Sequence, residues 1–366
     1  MVKQNSLLVN LSVLFGKPTG IGIYLENLFP YLQSLNPTLL AAQNHQNFQC
    51  HLIPDNLTPD NGTRGHLRRL IWTQFQLPKI YQNLKSQLLF SPLPEAPLYT
   101  KCRFVTTSFD LIPLRFPNRL SALEIYHKYY TPEVFKQAKH IICISESTAK
   151  DLTKFHGISS NKITSILLAY DALHFRPLTK ENSKYRDQAC PYFLYIGRHD
   201  PYKNIGRILS AFSNLTLNIE CQLWLVGPTD DRHTPLLRQQ IAELGLTERV
   251  KFLDYIPYED LPEIISGAIA LVFPSLWEGF GLPILEAMGC GTPVITSNLA
   301  SMPEVAGDAA ILVDPYNTDE IADAMQAIAD DSQLRAKLSE LGLARAKLFS
   351  WEKTGKATVE VLERFL

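Results

Sequence analysis

Glu278 and Glu286 bracket a glycine loop in "WEGFGLPILEAMGCGTPVIT" (277–296), a spacing that suits recognition of hydroxyls beside an anion. An ionised carboxylate only accepts hydrogen bonds, so hydroxyl donors are its natural partners. Gly279 and Gly281 lack side chains, and Pro283 is placed like the first residue of a helix. Backbone N–H groups at such a helix start favour an anion, and glycine lets one approach closely. A glutamate in a first helical turn also stabilises the helix by about 0.3–1 kcal/mol, which alone would account for Glu286. It does not account for Glu278, which precedes the helix. An anion together with hydroxyls points to a sugar phosphate or a nucleotide.

Cations complete such a site. In "YIGRHDPYKN" (195–204), Arg198 and Lys203 bracket a loop at the end of an apolar run. Either one alone is ordinarily a solvated surface charge. Two of them, with the helix start at Gly281, make a diphosphate site. "TGIG" (19–22) places Gly20 and Gly22 between an apolar run and a helix, as a glycine turn that could lie against a diphosphate. The third glycine of a dinucleotide fingerprint is missing, because Leu25 occupies its place, and this disfavours a dehydrogenase. Tyr255 in "LDYIP" (253–257) sits at a strand end, where it could stack on a base.

The elements that must position these residues alternate in type. In the second half, strands are expected at 192–197, 221–227, 250–253, 268–274, 293–296 and 309–315. Helices are expected at 205–212, 235–244, 259–267, from Pro283, and at 318–329. The first half has the same grammar more loosely, with strands at 7–11, 88–90, 103–107 and 139–145 and a helix after Gly22. Buried apolar strands alternating with helices predict parallel sheets covered on both faces. The polar, patternless stretch 178–191 reads as a linker between two Rossmann-like domains, with ligand expected in the cleft at their strand ends.

A chain of 366 residues, 46% hydrophobic and 19% charged with a net charge of -1, is neither disordered nor a general polyanion binder, so no nucleic-acid partner is expected. Cys50, Cys102, Cys143, Cys190, Cys221 and Cys290 are scattered without a CxxC pair. They read as reduced residues of a cytoplasmic protein, not a disulfide frame or a zinc site. The N-terminal apolar run reads as a first strand, not a signal peptide, and no run approaches bilayer length.

These residues carry a resemblance to the retaining glycosyltransferases of family 4 (group 1). The matching stretches are Gly20-Ile21-Gly22, "FDLIPLRFP" (109–117), "ISES" (144–147), "HFRP" (174–177), "GRHDPYKN" (197–204), Glu278-x7-Glu286 with "GLPILEAMGCGTPVI", and "MPEVAGDAAILVDP" (302–315). The resemblance implies the GT-B fold: an acceptor-binding Rossmann-like domain over 1–178, a nucleotide-sugar domain over 179–348, and a helix over 349–366 that crosses back to the first domain. It implies that Glu278 holds hydroxyls of the transferred sugar and Glu286 those of the ribose. Arg198 and Lys203 would neutralise the diphosphate, helped by N–H groups around Phe280, Gly281 and Leu282. Glu278, Arg198 and Lys203 are thus the catalytic candidates. The implied reaction moves a hexose, with glucose from UDP-glucose placed ahead of mannose from GDP-mannose. The implied acceptor is a glycan or lipid-linked saccharide, in surface or exopolysaccharide synthesis. No Asp-x-Asp motif occurs, so neither metal nor cofactor is expected.

One departure concerns the acceptor side. Many relatives carry His-Asp before "LIPLRFP"; this chain has Phe109-Asp110, so that histidine's role passes to no residue here. His127, His140 and His156 read as structural, and His199, inside the diphosphate loop, has the better claim to a role. A nucleotide-sugar epimerase and a non-catalytic nucleotide-sugar binder are the rival readings. Segment 61–94 contains Arg64, Arg68, Arg69, Lys79 and Lys85, with Trp72 and Phe75 and no acidic residue. It suits peripheral contact with an anionic membrane, but the sequence leans to a core helix with a basic solvated face. Pro78 limits any single long helix there.

Overall fold

Short apolar runs form the strands, and among the described residues the strand pairs are all parallel. The computed structural model describes residues 6–14, 20–58, 61–117, 122–178, 190–216 and 220–366. The polar stretch read as a linker lies almost wholly outside them, as does Thr19 of the "TGIG" stretch. The chain divides into two compact units, Met1–Leu168 with Trp351–Leu366, and Ala169–Ser350.

The first unit holds β1 (Leu7–Asn10), β2 (Thr38–Ala41), β3 (Gln49–Leu52), β4 (Leu88–Ser91), β5 (Phe104–Ser108), β6 (His140–Cys143) and β7 (Ile163–Ser165). They lie in the order β3-β2-β1-β4-β5-β6-β7. β1, β4, β5 and β6 are buried along their whole length, as strands covered on both faces must be. β2, β3 and β7 were not expected. Each is only three or four residues long, and β3 and β7 are half-exposed edges, so none carries a readable apolar period. The first helix, Gly20–Leu32, begins at Gly20 and not after Gly22, so the two glycines form its first turn instead of a turn ahead of it. The final helix, Trp351–Glu363, packs on Gly20–Leu32, within the same unit. Thr354 Oγ1 donates to the Leu167 carbonyl at 2.7 Å, and Arg103 Nη2 donates to that of Phe365 at 2.8 Å. The C-terminal helix is thus part of the first unit.

The second unit holds β8 (Tyr192–Ile196), β9 (Gln222–Val226), β10 (Val250–Leu253), β11 (Ala270–Phe273), β12 (Val294–Ser297) and β13 (Ile311–Val313). Their order is β10-β9-β8-β11-β12-β13. This is the doubly wound Rossmann arrangement, in which the strand order reverses between β8 and β11, and ligands bind at the strand ends flanking that reversal.

Segment 61–94 has the expected basic solvated face, with Arg64, Arg68 and Lys79 exposed and Trp72 buried in the core, but departs from that reading in which other side chains are covered. It forms two helices, Gly62–Phe75 and Leu77–Asn83, the second with Pro78 in its first turn. On the first helix one cation is inside: Arg69 is 2% exposed, and its Nε and Nη2 donate to Glu95 at 2.6 and 2.8 Å. Leu67, Ile71 and Phe75 are outside, 58%, 52% and 66% exposed. Glu95, from the loop after β4, supplies the partner that makes an inward arginine tolerable.

Candidate functional site

The loops after β8 and β11, on either side of the strand reversal, carry most of the expected donor residues. Gly197 follows β8, and its N–H donates to the Val226 carbonyl at 2.9 Å. The chain then runs through Arg198 to a short turn, Pro201–Lys203, and enters the helix Ile205–Ser213. Asn204 joins turn to helix with φ +65°, a left-handed conformation that asparagine tolerates. Its Nδ2 donates to the Pro274 and Pro315 carbonyls at 3.0 and 2.7 Å, tying the β8 loop to those after β11 and β13. The Leu276 N–H donates to the Tyr202 carbonyl at 2.7 Å, a second tie between the β8 and β11 loops.

Lys203 and Glu278 meet across these loops. Lys203 Nζ donates to both Glu278 carboxylate oxygens, at 2.7 and 2.9 Å. Both side chains are largely covered, 13% and 9% exposed. The Glu278 backbone is held in turn, because Ser301 Oγ donates to the Glu278 and Phe280 carbonyls at 3.0 and 2.8 Å. Arg198 points outward, its side chain 65% exposed, with Nε 3.1 Å from Asp200 Oδ2. Phe280 is buried, and Gly281 caps the helix Leu282–Gly289 at φ +103°, where any Cβ is strained.

Glu286 stands in the second turn of that helix, half-buried. Desolvation pushes its carboxyl pKa up to about 7 from the ordinary 4.5. The pKa of the Tyr258 hydroxyl is raised to about 12, by burial first and then by the Asp171 and Glu286 carboxylates. Tyr258 also stacks on His174, with ring centroids 4.0 Å apart and an interplanar angle of 11°. Tyr255, the expected base-stacking residue, is 82% exposed at the end of β10.

The remaining candidates fall elsewhere. Gly20, Gly22, Phe109 and Asp110 belong to the first unit. Phe109 packs edge-on against Tyr24 with centroids 5.3 Å apart, and its carbonyl accepts from Thr148 Oγ1 at 3.2 Å. Asp110 Oδ1 accepts the Ile112 N–H at 3.0 Å, which holds the loop. His199 is 2% exposed, with Nδ1 2.7 Å from Thr234 Oγ1, and burial lowers its pKa. It latches the β8 loop to the start of the helix Thr234–Glu243. His140 stacks on Phe365 and bonds Thr164, a structural role, and burial pushes the pKa of His127 down to about 4. Four cysteines are buried, while Cys50 and Cys190 are half-buried; all six are free thiols.

Sequence reasoning gave no role to Asn204, Ser301 or Tyr258. The asparagine that follows Lys203 in "PYKN" was the available signal for the first, since asparagine is a turn residue that tolerates positive φ. Nothing local marks Ser301 or Tyr258, whose contacts are made across distant loops.

Known proteins share the sequence pattern and the fold. The family model for glycosyl transferases group 1 matches residues 179–345, and that for Glycosyltransferase Family 4 matches 18–172. O-antigen chain mannosyltransferase B of Escherichia coli is 36% identical over 269 residues, covering 70% of this chain and 69% of that one. O-antigen chain mannosyltransferase RfbU of Salmonella typhimurium is 26% identical, covering 84% of this chain and 87% of the relative. The serotype-specific mannosyltransferase WbdA of Escherichia coli is longer: the match, 28% identical, spans 34% of it. Among solved structures, Anabaena HepE in complex with UDP and glucose superposes with a TM-score of 0.75 at 19% identity, covering 98% of this chain and 99% of that one. WaaG, a glycosyltransferase involved in lipopolysaccharide biosynthesis, gives 0.74 at 14%, covering 97% and 99%. With both halves matched by family models and the GT-B fold shared with these structures, the chain belongs to the family 4 glycosyltransferases.

Proposed function

We propose that this glycosyltransferase is a retaining hexosyltransferase that takes its sugar from a nucleotide diphosphate donor and extends a glycan or lipid-linked saccharide of a surface polysaccharide. The observation that carries the reading is the Lys203–Glu278 pair, held at the β8/β11 reversal beside the helix start at Gly281. A cation, an anion-favouring helix start and a hydroxyl acceptor within one loop pair match a diphosphate and the sugar attached to it. Arg198, with its exposed guanidinium, is the second diphosphate cation. Glu286 takes the ribose hydroxyls, and Tyr255 lies on the base side. The donor belongs to the residues of 179–348 and the acceptor to those of 1–178, including Phe109 and Asp110.

In the reaction the bond from the sugar C1 to the diphosphate oxygen breaks, and the electron pair leaves with the diphosphate. Lys203, Arg198 and the helix start stabilise that charge as it develops. A hydroxyl oxygen of the acceptor bonds to C1 on the face just vacated, which retains the anomeric configuration, and its proton passes to a diphosphate oxygen. Phe109 has no titratable group and shapes the pocket.

The 36% identical relative is a mannosyltransferase by name, and this shifts the preferred sugar from the glucose expected of the sequence to mannose. Glucose from UDP-glucose is the second reading, favoured by the HepE complex with UDP-glucose, whose likeness to this chain is one of fold. The test offers GDP-mannose and UDP-glucose with saccharide acceptors and follows the anomeric proton by NMR. Transfer of mannose with the donor's configuration kept is expected. An inverted product overturns retention; binding without transfer or hydrolysis of any nucleotide-sugar overturns the enzyme reading in favour of a binder; release of an isomerised sugar identifies an epimerase. A peripheral membrane contact through 61–94 belongs to the same reading, since it would bring a lipid-linked acceptor within reach.

A further inference from the structure

We propose that Tyr195 is the positioning residue of the diphosphate loop: its buried hydroxyl turns the Arg198 carbonyl inward and so aims the guanidinium outward at the diphosphate. This rests on the donor reading above and adds the residue that sets where one of its two cations stands. Tyr195 lies in β8, 0% exposed, and its Oη donates to the Arg198 carbonyl at 2.7 Å. Phe193, two positions back on the same face of the strand, is equally buried and carries no hydroxyl. Packing alone therefore asks only for an aromatic ring at this place. A hydroxyl buried there costs free energy unless it is bonded, so its role lies in the bond it makes. Burial first, and then the charges of Glu278, Tyr202 and Asp200, hold its pKa well above the ordinary 10, which keeps the group a donor.

The loop is built around this hydroxyl. Gly197 has φ +155°, and a Cβ on it would sit 2.7 Å from Tyr195 Oη. The space a side chain at 197 would fill is already taken by the hydroxyl, and the chain bends round it to Arg198. With that carbonyl bonded inside, the Arg198 side chain stands 65% exposed, its Nε 3.1 Å from Asp200 Oδ2.

The same ring reaches towards the other cation. It lies alongside Phe273 of β11, with centroids 6.3 Å apart and an interplanar angle of 21°. Lys203 Nζ stands 5.4 Å from the ring centroids of both Phe273 and Tyr202. Lys203 also has the covered Glu278 carboxylate to hold it, whereas the ion pair of Arg198 is exposed and contributes little in water. Arg198 is therefore the cation that depends on its backbone for its place. A guanidinium already aimed loses less freedom when it meets the diphosphate. Losing the anchor should weaken what the diphosphate contributes to binding and spare what the nucleoside contributes. Turnover should fall with it, because the same guanidinium meets the charge that develops on the leaving group.

The experiment is calorimetric titration of GDP, GMP, UDP and UMP into the unaltered chain, Tyr195→Phe, Arg198→Ala and the double variant. Tyr195→Phe removes one oxygen from a buried ring and should fold, which melting will check. It should bind the diphosphates about tenfold more weakly, the contribution of one charge-assisted hydrogen bond, with monophosphate affinity unchanged. In the Arg198→Ala background the same substitution should cost nothing further, since the carbonyl then aims no guanidinium. Gly197→Ala, which presses a Cβ on the hydroxyl, should show the same split and serves if the phenylalanine variant does not fold. Equal diphosphate affinity in Tyr195→Phe, or equal losses for monophosphates and diphosphates, overturns the proposal. So do additive losses in the double variant, because Tyr195 would then act apart from Arg198. An unaltered chain that binds monophosphates and diphosphates alike would overturn the diphosphate reading itself, and this proposal with it.

Discussion

Lys203 and Glu278 form a largely buried bidentate pair, and the proposed chemistry gives each a different partner, the diphosphate for one and a sugar hydroxyl for the other. Removing one member of such a pair leaves a buried charge and typically costs about 3–5 kcal/mol. Lys203→Met and Glu278→Gln should therefore each lower Tm without added nucleotide, and the double variant should lose clearly less than the sum. Additive losses in that cycle would show that the two side chains do not stabilise each other. Glu286 gives a prediction with a sign. Its pKa is raised from 4.5 to about 7 in the folded chain, so between those values the folded state holds more of the proton than the unfolded state does. Its contribution to stability is fully present below about pH 4.5 and is lost as pH rises towards 7. The ionised carboxylate is the better acceptor of ribose hydroxyls, so nucleotide affinity should rise over the same span. Glu286→Gln should flatten both profiles, measured by melting and by titration calorimetry; slopes unchanged in the variant would assign the ionisation to another group.

At the scale of elements, two backbone positions decide whether the site forms. Gly281 begins the helix Leu282–Gly289 at φ +103°, and a Cβ there would also sit 3.1 Å from Ile284 Cδ1. Gly281→Ala should cost about 1–3 kcal/mol of stability through backbone strain and weaken nucleotide binding, because the N–H groups at the helix start move with it. Full retention of both would remove this turn from the donor site. Gly355, in the last helix, meets the Tyr31 ring where any side chain would clash. Gly355→Val should displace Trp351–Glu363 from Gly20–Leu32, exposing it to proteolysis while nucleotide binding by the second unit persists. Proteolysis at the unaltered rate would mean the contact is not needed to hold the helix. The helix Gly62–Phe75 belongs to this scale as well, since its rotation, not its composition, puts its apolar residues outside.

For the whole molecule, the two units repeat one architecture, and the residues proposed for the donor gather in the second. A nucleotide that binds only the folded state at about 100 times its Kd stabilises by about 2.7 kcal/mol, so thermal shifts with GDP and UDP will rank the bases. A larger shift with GDP is expected if mannose is the sugar transferred; a larger shift with UDP returns the preference to glucose. Protein cations are assigned to the leaving diphosphate, so activity should survive EDTA. Loss of activity that Mn²⁺ or Mg²⁺ restores would contradict that assignment.

Much of the second unit was legible because its signals are local. Its strands are continuous apolar runs, its helices open on proline or close on glycine, and Glu278, Glu286, Arg198 and Lys203 sit at fixed distances within two short stretches. The first unit was read less fully, because β2, β3 and β7 are too short to show a period and are recognised only through the strands they pair with. Tertiary structure alone decided three things. It joined Lys203 to Glu278 across 75 positions of sequence, a distance no motif spacing measures. It set Ser301 and Asn204 behind the loops, through bonds to carbonyls that every residue type possesses. It also turned Arg69 inward and Leu67, Ile71 and Phe75 outward, because the loop after β4 brought Glu95 to that side of the helix. The sequence by itself determined which groups could do chemistry; folding across long separations decided which of them meet, and which face of a helix is left outside.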